Sequence, residues 1–224
     1  MEDVQANLER VRERIARAAR RAGRRPEDIL LIGVSKTVPA ERVREAIAAG
    51  LPALGENRVQ EAREKIRALG RPVPWHLIGH LQTNKAKDAL ELFDVIQSVD
   101  RLTLASEIAR RATRPVDVLV EVNLGGEASK SGFARSEVKP ALDALRSMPM
   151  LRVRGLMAIP PAVDEPEKAR LWFRTLRELR DAGGLAELSM GMSGDFEVAI
   201  EEGATMVRVG TAIFGERPPP SEHS

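Results

Sequence analysis

The hydrophobic positions of this chain follow two alternating patterns. In residues 2–22, apolar side chains recur at steps of three and four among many charges, which predicts an amphipathic helix. From residue 30 onward, short apolar runs alternate with segments of helical periodicity. The predicted strands cover residues 30–37, 51–54, 75–79, 93–99, 116–122, 151–157, 187–190 and 206–210. The predicted helices among them cover residues 40–49, 55–69, 84–92, 102–112, 135–148, 165–182 and 194–202.

This alternation predicts the fold class. Eight strands that alternate with helices indicate one parallel (β/α)8 barrel, a TIM barrel of the α/β class, with an extra N-terminal helix. A doubly wound parallel sheet is the alternative. We expect one barrel domain over residues 1–215, followed by a disordered tail over residues 216–224, which contains three consecutive prolines.

Composition removes several classes of function. The 35 basic and 33 acidic residues give a formal net charge of +2, which attracts neither nucleic acid nor anionic membrane strongly. Cysteine is absent, which excludes disulfides, thiolate metal sites and cysteine nucleophiles. The sequence shows no N-terminal signal and no uncharged apolar run of about 20 residues. We therefore expect a cytoplasmic protein that binds neither nucleic acid nor membrane. As a separate expectation, we take it to be a monomer.

The first predicted strand ends in a lysine. Alternation places Leu30, Ile32, Val34 and Lys36 on one face, so the ammonium group would project from a row of buried aliphatic side chains. A lysine desolvated in this way should have a lowered pKa, and its amine becomes a nucleophile that forms an imine with an aldehyde. The alternative interpretation is a surface lysine that begins a loop.

Chemistry in such barrels lies at the carboxyl ends of the strands. The side chains at these positions are Lys36, Glu56, Asn57, His80, Gln82, Asn123, Met157, Ser193, Arg208, Gly210 and Thr211. Gly210 lets the backbone approach a ligand, and a helix that starts at Thr211 would direct N–H groups toward an anion. Ser193 precedes another predicted helix start as a candidate N-cap. Together these adjacent loops predict a phosphate site, whereas each alone is equally well explained as an ordinary helix cap.

Arg208 shares a strand face with Met206. If that face lines the barrel interior, the guanidinium group needs a buried acceptor. The candidate acceptors are Glu56, Glu121 or a ring nitrogen of a ligand.

His76 and His80 are four residues apart, a spacing that suits a metal site on a helix. Here the segment is predicted as strand and loop, and no acidic third ligand is evident. We therefore expect hydrogen-bonded histidines and no metal.

With these residues assembled, the chain resembles the family of pyridoxal-phosphate homeostasis proteins, also called PLP-binding proteins. The shared motifs cover nearly the whole chain in order. They lie at residues 34–37, 55–61, 75–85, 122–123, 130–132, 155–157, 188–193, 195 and 207–215.

The resemblance implies a single barrel related to the N-terminal domain of alanine racemases, with pyridoxal 5'-phosphate held as an imine on Lys36. The residues that it assigns to the phosphate are Ser193, Gly210 and Thr211. Those that it assigns to the ring are Arg208, facing the pyridine nitrogen, and Asn57, His80 and Met157 at its border. It further implies a protein that stores or delivers the cofactor in vitamin B6 and amino-acid homeostasis, with PLP-dependent apoenzymes as acceptors and no reaction of its own.

Two other functions compete with this interpretation. The first is a PLP-dependent amino-acid racemase or decarboxylase. Related racemases use a tyrosine as the second base and related decarboxylases a cysteine, and the sequence contains neither residue. An arginine at the pyridine nitrogen would also disfavour its protonation and weaken carbanion chemistry. The second is an enzyme for phosphate metabolites that never modifies Lys36.

Overall fold

The computed structural model describes residues 3–127 and 129–216. Its strands are β1 (Leu30–Val34), β2 (Ala53–Glu56), β3 (Trp75–Leu77), β4 (Val95–Val99), β5 (Val116–Asn123), β6 (Phe133–Ala134), β7 (Leu151–Met157), β8 (Glu187–Ser189) and β9 (Met206–Val209). Parallel pairing runs β4-β3-β2-β1-β9-β8-β7-β5, and β5 pairs back to β4. Within the described residues these eight strands therefore close a barrel, and the predicted TIM barrel is confirmed.

The α-helices surround this barrel. They are α1 (Val4–Arg21), α2 (Ala40–Ala48), α3 (Val59–Leu69), α4 (Ala86–Leu92), α5 (Leu102–Arg111), α6 (Val138–Arg146), α7 (Arg170–Ala182), α8 (Phe196–Glu201) and α9 (Thr211–Phe214). The extra helix α1 is capped by Asp3, whose carboxylate accepts from the backbone N–H groups of Gln5 at 2.9 Å and Ala6 at 3.2 Å. As predicted, α1 is amphipathic. Its apolar stripe is buried against α8 and α9.

Alternation along the strands divides the apolar residues between two faces. Leu31 and Val207 belong to the large core between the barrel and the helices, whereas Leu30, Ile32 and Met206 belong to a small cluster inside the barrel. Met206 pairs with Leu30, and Arg208 pairs with Ile32. The face that Met206 and Arg208 share therefore lines the barrel interior, and the interior becomes polar toward the carboxyl ends of the strands.

The boundary predicted for the second strand is wrong. The strand covers Ala53–Glu56 and not residues 51–54, because Leu51 still bonds through its N–H to Ala46 O at the end of α2. Gly55 and Glu56 pair with β3, so they are buried strand residues and not the start of a helix. A carboxylate at a strand end is difficult to recognise from sequence, because only its tertiary partners permit its burial.

Two further points concern the rest of the chain. β6 was not predicted; it pairs with β5 at Val122 and Asn123. Apart from Glu216, the predicted disordered tail lies outside the described residues. Within residues 3–127 and 129–216, no helix is both long enough and apolar enough to cross a membrane.

Candidate functional site

A cavity of about 330 Å³ opens at the carboxyl ends of the strands. Its lining residues are Val34, Lys36, Asn57, Ile78, Ile159, Met192, Ser193, Gly194, Arg208, Gly210 and Thr211. The predicted site residues that share this cavity are Lys36, Asn57, Ser193, Arg208, Gly210 and Thr211. The structure thus brings the lysine, the arginine and both predicted phosphate loops to one place.

Lys36 follows β1 at the point where the backbone becomes strained. Its side chain is partly buried, and the next residue, Thr37, has a φ of 62°, a left-handed conformation that is unfavourable for a β-branched residue. The Thr37 hydroxyl donates to Lys36 O at 2.6 Å, and the Thr37 N–H donates to Glu61 Oε1. These bonds hold the strained turn that carries the lysine.

A buried ionic cluster lies beneath this turn; we call Ser35, Glu56, Glu61 and Lys65 the Lys65 cluster. Lys65 Nζ donates to Glu56 Oε1 at 2.6 Å, to Glu61 Oε1 at 2.7 Å and to Ser35 O. The Ser35 hydroxyl also donates to Glu56 Oε1, at 2.6 Å. Burial raises the pKa of Glu56, while Lys65 and Ser35 oppose that rise.

Sequence reasoning missed the Lys65 cluster as a unit. The available signal was the spacing of Glu61 and Lys65, which are four residues apart on α3 and able to pair. That spacing is also common on solvated helices, whereas here Lys65 is only 7% exposed. The cluster joins α3 to β2 and to the backbone immediately before Lys36, so it fixes the origin of the lysine side chain.

Arg208 projects from β9 into the barrel interior and is 2% exposed. Its Nη1 donates to Ser189 Oγ at 2.7 Å, and its Nη2 donates to Ala158 O at 2.9 Å. Burial lowers its pKa to about 10, although Glu121 and Asp195 oppose that change, so the guanidinium group remains charged at neutral pH.

The acceptor candidates for Arg208 can now be compared with its observed bonds. Glu56 was a wrong candidate, because its bonds go to Ser35 and Lys65. Glu121 acts on Arg208 through charge, and burial together with Asp100 raises the pKa of Glu121 to about 7.

The two predicted phosphate loops are joined to each other. The backbone N–H of Ala212 donates to Ser193 Oγ at 3.3 Å, which links the loop after β8 to the first turn of α9. The prediction that Ser193 caps its own helix is wrong, because α8 begins later and Asp195 occupies the N-cap position. Asp195 Oδ1 instead accepts from the N–H of Met192 at 2.7 Å, which shapes the loop that presents Ser193.

His80 and Met157 lie outside the cavity lining. His80 Nδ1 is 2.8 Å from Asp100 Oδ2 and 3.2 Å from Ser131 Oγ, and Met157 is fully buried in β7. Within residues 3–127 and 129–216, no group of three or more His, Cys, Asp or Glu side chains is arranged to hold a metal ion.

The donor set fits a small ligand with an aldehyde and a phosphate group. Lys36 offers a primary amine, while the Ser193 and Thr211 hydroxyls and the Arg208 guanidinium group can donate hydrogen bonds to anionic or ring acceptors. Apolar side chains from β1 and from the loops after β3, β7 and β8 complete the lining and can border a flat ring. Small-molecule sites occupy roughly 300–1,000 Å³, so the volume is adequate.

Comparison with known proteins supports this chemistry. The family described as alanine racemase, N-terminal domain, matches residues 6–218. The pyridoxal phosphate homeostasis protein of Aquifex aeolicus is 50% identical over 220 residues, which cover 94% of this chain and 96% of that protein. The chain belongs to the pyridoxal phosphate homeostasis protein family. The member of this family from Pseudomonas aeruginosa is 47% identical over 223 residues, 97% of each chain.

Solved structures resemble this family member in fold. PipY of Synechococcus elongatus PCC7942, solved with PLP bound, is 36% identical with a TM-score of 0.83 and covers 95% of this chain and 100% of its own. An alanine racemase of Clostridium difficile has a TM-score of 0.73 at 20% identity, and the match covers 97% of this chain and 58% of the racemase. At that identity the likeness to the racemase shows the barrel fold alone.

Proposed function

We propose that this protein binds pyridoxal 5'-phosphate in the 330 Å³ cavity, holds it covalently through Lys36 and serves in vitamin B6 and amino-acid homeostasis. The observation that carries the proposal is that Lys36 shares one cavity with Arg208 and with both loops suited to phosphate. The names of the relatives and the PLP-bound PipY structure support the choice of cofactor.

Each lining residue has a role in this proposal. Pyridoxal phosphate supplies an aldehyde that condenses with a primary amine and releases one water molecule. Lys36 Nζ provides that amine, and the strained turn beneath it sets its position. Ser193, Gly210 and Thr211 bind the phosphate, and Arg208 faces the pyridine nitrogen as a donor.

The three residues predicted at the border of the ring differ in whether they line the cavity. Asn57 lines the cavity and can border the ring. His80 and Met157 do not line it, so the geometry does not favour them as ring neighbours. Of the three residues predicted at the border of the ring, we therefore retain Asn57 in the proposed site.

We further propose that the protein acts as a carrier and not as an enzyme. Racemisation needs two bases on opposite faces of the substrate carbon, and the sequence has no tyrosine and no cysteine to serve as the second. His80 is held by Asp100 outside the cavity lining. A charged Arg208 at the pyridine nitrogen keeps that nitrogen unprotonated, which weakens its withdrawal of electrons. Delivery to PLP-dependent apoenzymes and a monomeric state remain predictions.

Borohydride reduction followed by peptide mass mapping tests the attachment site. We expect the reduced cofactor on Lys36, no visible absorbance band in Lys36→Ala, and an unchanged band in Lys85→Ala, a matched removal of an exposed lysine. An adduct solely on another lysine would contradict the assignment.

A turnover assay separates the carrier from the enzyme. The loaded protein is incubated with L-alanine and other L-amino acids while optical rotation and carbon dioxide are followed. We expect negligible change. Turnover on the order of one per second or faster that disappears in Lys36→Ala would establish a racemase or decarboxylase instead.

A further inference from the structure

Four polar side chains cross the barrel interior in one continuous line, which we call the His76 series: His76, Gln97, Ser189 and Arg208. Arg208 Nη1 lies 2.7 Å from Ser189 Oγ, Ser189 Oγ lies 2.6 Å from Gln97 Oε1, and Gln97 Nε2 lies 2.9 Å from His76 Nδ1. His76, Gln97 and Ser189 are at most 3% exposed. The series connects β3 and β4 through β8 to the arginine that lines the cavity.

Donor and acceptor chemistry assigns a direction to every bond in the series, starting from Arg208. A guanidinium group has donors only, so Ser189 Oγ must accept from Arg208 and is left to donate to Gln97 Oε1. The Gln97 amide then presents its NH₂ group to His76 Nδ1, which must accept. The proton of the imidazole therefore lies on Nε2, and the ring is neutral.

The neighbours of the Gln97 amide favour this orientation over the reversed one. With the amide reversed, its NH₂ group would face Ser189 Oγ, and the Ser189 hydroxyl hydrogen would lose its acceptor in the series. In the assigned orientation Gln97 Nε2 also lies 3.6 Å from Met206 Sδ, a weak acceptor. Burial lowers the pKa of His76 to about 4, which agrees with a neutral ring at physiological pH.

We infer that Ser189, Gln97 and His76 are positioning residues that hold Arg208 as a donor aimed at the ligand ring. The identity of that ring rests on the proposed function, whereas the direction of the series does not. Ala158 O holds Nη2 of Arg208 at 2.9 Å, so Ser189 supplies the second point that fixes the plane of the guanidinium group.

The direction can be measured by nitrogen NMR of the histidine rings in the protein without cofactor. We expect His76 to carry its proton on Nε2 and to have an unprotonated, hydrogen-bonded Nδ1. Gln97→Glu replaces the donor with an acceptor, so His76 should move its proton to Nδ1 or become doubly protonated. A parent protein with the proton on His76 Nδ1, or an unchanged tautomer in Gln97→Glu, overturns the direction.

The positioning role can be measured by cofactor affinity. Ser189→Ala should weaken binding of pyridoxal phosphate about tenfold, but should weaken binding of the analogue with carbon in place of the pyridine nitrogen less than about twofold. Ser98→Ala is the control: its hydroxyl is equally buried in β4 but has no hydrogen-bond partner within the described residues. It should leave both affinities unchanged.

The possible failures are distinguishable. A parent protein that binds pyridoxal phosphate, with equal losses in Ser189→Ala and Ser98→Ala or equal losses for both ligands in Ser189→Ala, overturns the positioning role. A parent protein that does not bind pyridoxal phosphate overturns the proposed function, while the NMR measurement still decides the direction. Thermal unfolding of each variant confirms that the measured protein is folded.

Discussion

Lys36 and Arg208, the two basic groups at the site, are held in position by different kinds of interaction. The turn that carries Lys36 rests on the Lys65 cluster, an ionic group of one ammonium and two carboxylates. Arg208 instead ends the His76 series, whose other members are neutral side chains. Both supports are buried, yet one is held by charge pairs and the other by the direction of its hydrogen bonds.

This difference shows what each support can tolerate. A buried ion pair is stable only while both partners remain, because the loss of one leaves an unpaired charge in a medium that solvates it poorly. A neutral series loses a smaller amount when one member is removed, since no charge is stranded. The Lys65 cluster should therefore dominate folding, and the His76 series should mainly affect ligand orientation.

We expect the largest effect on stability from Lys65→Met, which removes the ammonium group of the Lys65 cluster. It strands the Glu56 carboxylate, so we expect the free energy of unfolding to fall by about 3–5 kcal/mol in urea denaturation. Lys139→Met is the control: the Lys139 side chain is 88% exposed and pairs with Asp143 at the surface. This variant should change the free energy of unfolding by less than about 0.5 kcal/mol. Equal changes in the two variants would contradict the ionic role.

Glu121 and His76 are buried groups whose contributions to stability change in opposite directions with pH. Native Glu121, with its pKa raised to about 7, binds more protons than the unfolded chain above pH 4.5, so its contribution to stability falls as pH rises toward 7. Native His76, with its pKa lowered to about 4, binds fewer protons than the unfolded chain up to pH 6.5, so its contribution rises. In the parent protein these contributions oppose each other between pH 4.5 and 6.5.

Glu121→Gln should remove the Glu121 contribution and leave that of His76 in place. Relative to the parent protein, we expect the free energy of unfolding of this variant to rise by about 2–3 kcal/mol more between pH 4.5 and 6.5. Glu137→Gln, at an exposed carboxylate, is the control. The measurement is urea denaturation at several pH values, and parallel pH profiles for Glu121→Gln and the parent would refute the assignment.

Thr211 lies outside both supports, and its substitution should separate ligand binding from folding. Thr211→Ala removes the charge-assisted hydrogen bond that we propose to the phosphate, so pyridoxal phosphate should bind about ten- to a hundred-fold more weakly, or roughly 1.5–3 kcal/mol. Pyridoxal, which has no phosphate, should bind with unchanged affinity. A Ser193→Ala, Thr211→Ala double variant with the affinity of the parent would rule out the phosphate loops.

The smallest expected effect concerns the link between those loops. Ser193→Ala removes the acceptor for the Ala212 N–H, so the free energy of unfolding should fall by about 1 kcal/mol. Ser147→Ala, whose hydroxyl bonds to Ala144 O at an exposed helix end, provides the comparison and should change it less. If Ser193→Ala has the smaller effect, the link does not stabilise the loops.

The barrel was predictable from sequence because the patterns that indicate it lie between neighbouring residues. Eight apolar runs at regular spacing, separated by helical periodicity, require only neighbouring residues to be recognised, and the lysine at the end of the first run was visible in the same way. The likeness of the motifs then pointed to the family, which the comparisons confirm. The roles of the individual site residues remain predictions.

What sequence reasoning missed depends on contacts between distant residues. Glu56 was taken for the start of a helix because no neighbour in the sequence explains a buried carboxylate; its partner Lys65 lies on α3. Gln97 and Ser189 have the ordinary appearance of strand residues, and only closure of the barrel brings them within 2.6 Å. The resemblance to the family placed His80 at the border of the ring; here its bond to Asp100 holds it outside the cavity lining, and its role stays a prediction.

Thr37 places stability and function in opposition at a single position. Its left-handed backbone is a conformation that glycine adopts without strain, so a screen for heat resistance alone should favour replacement of this threonine. Such a replacement would free the turn that aims Lys36, and the gain in melting temperature would come with looser attachment of the cofactor. A library selected for both properties at once should retain threonine at this position.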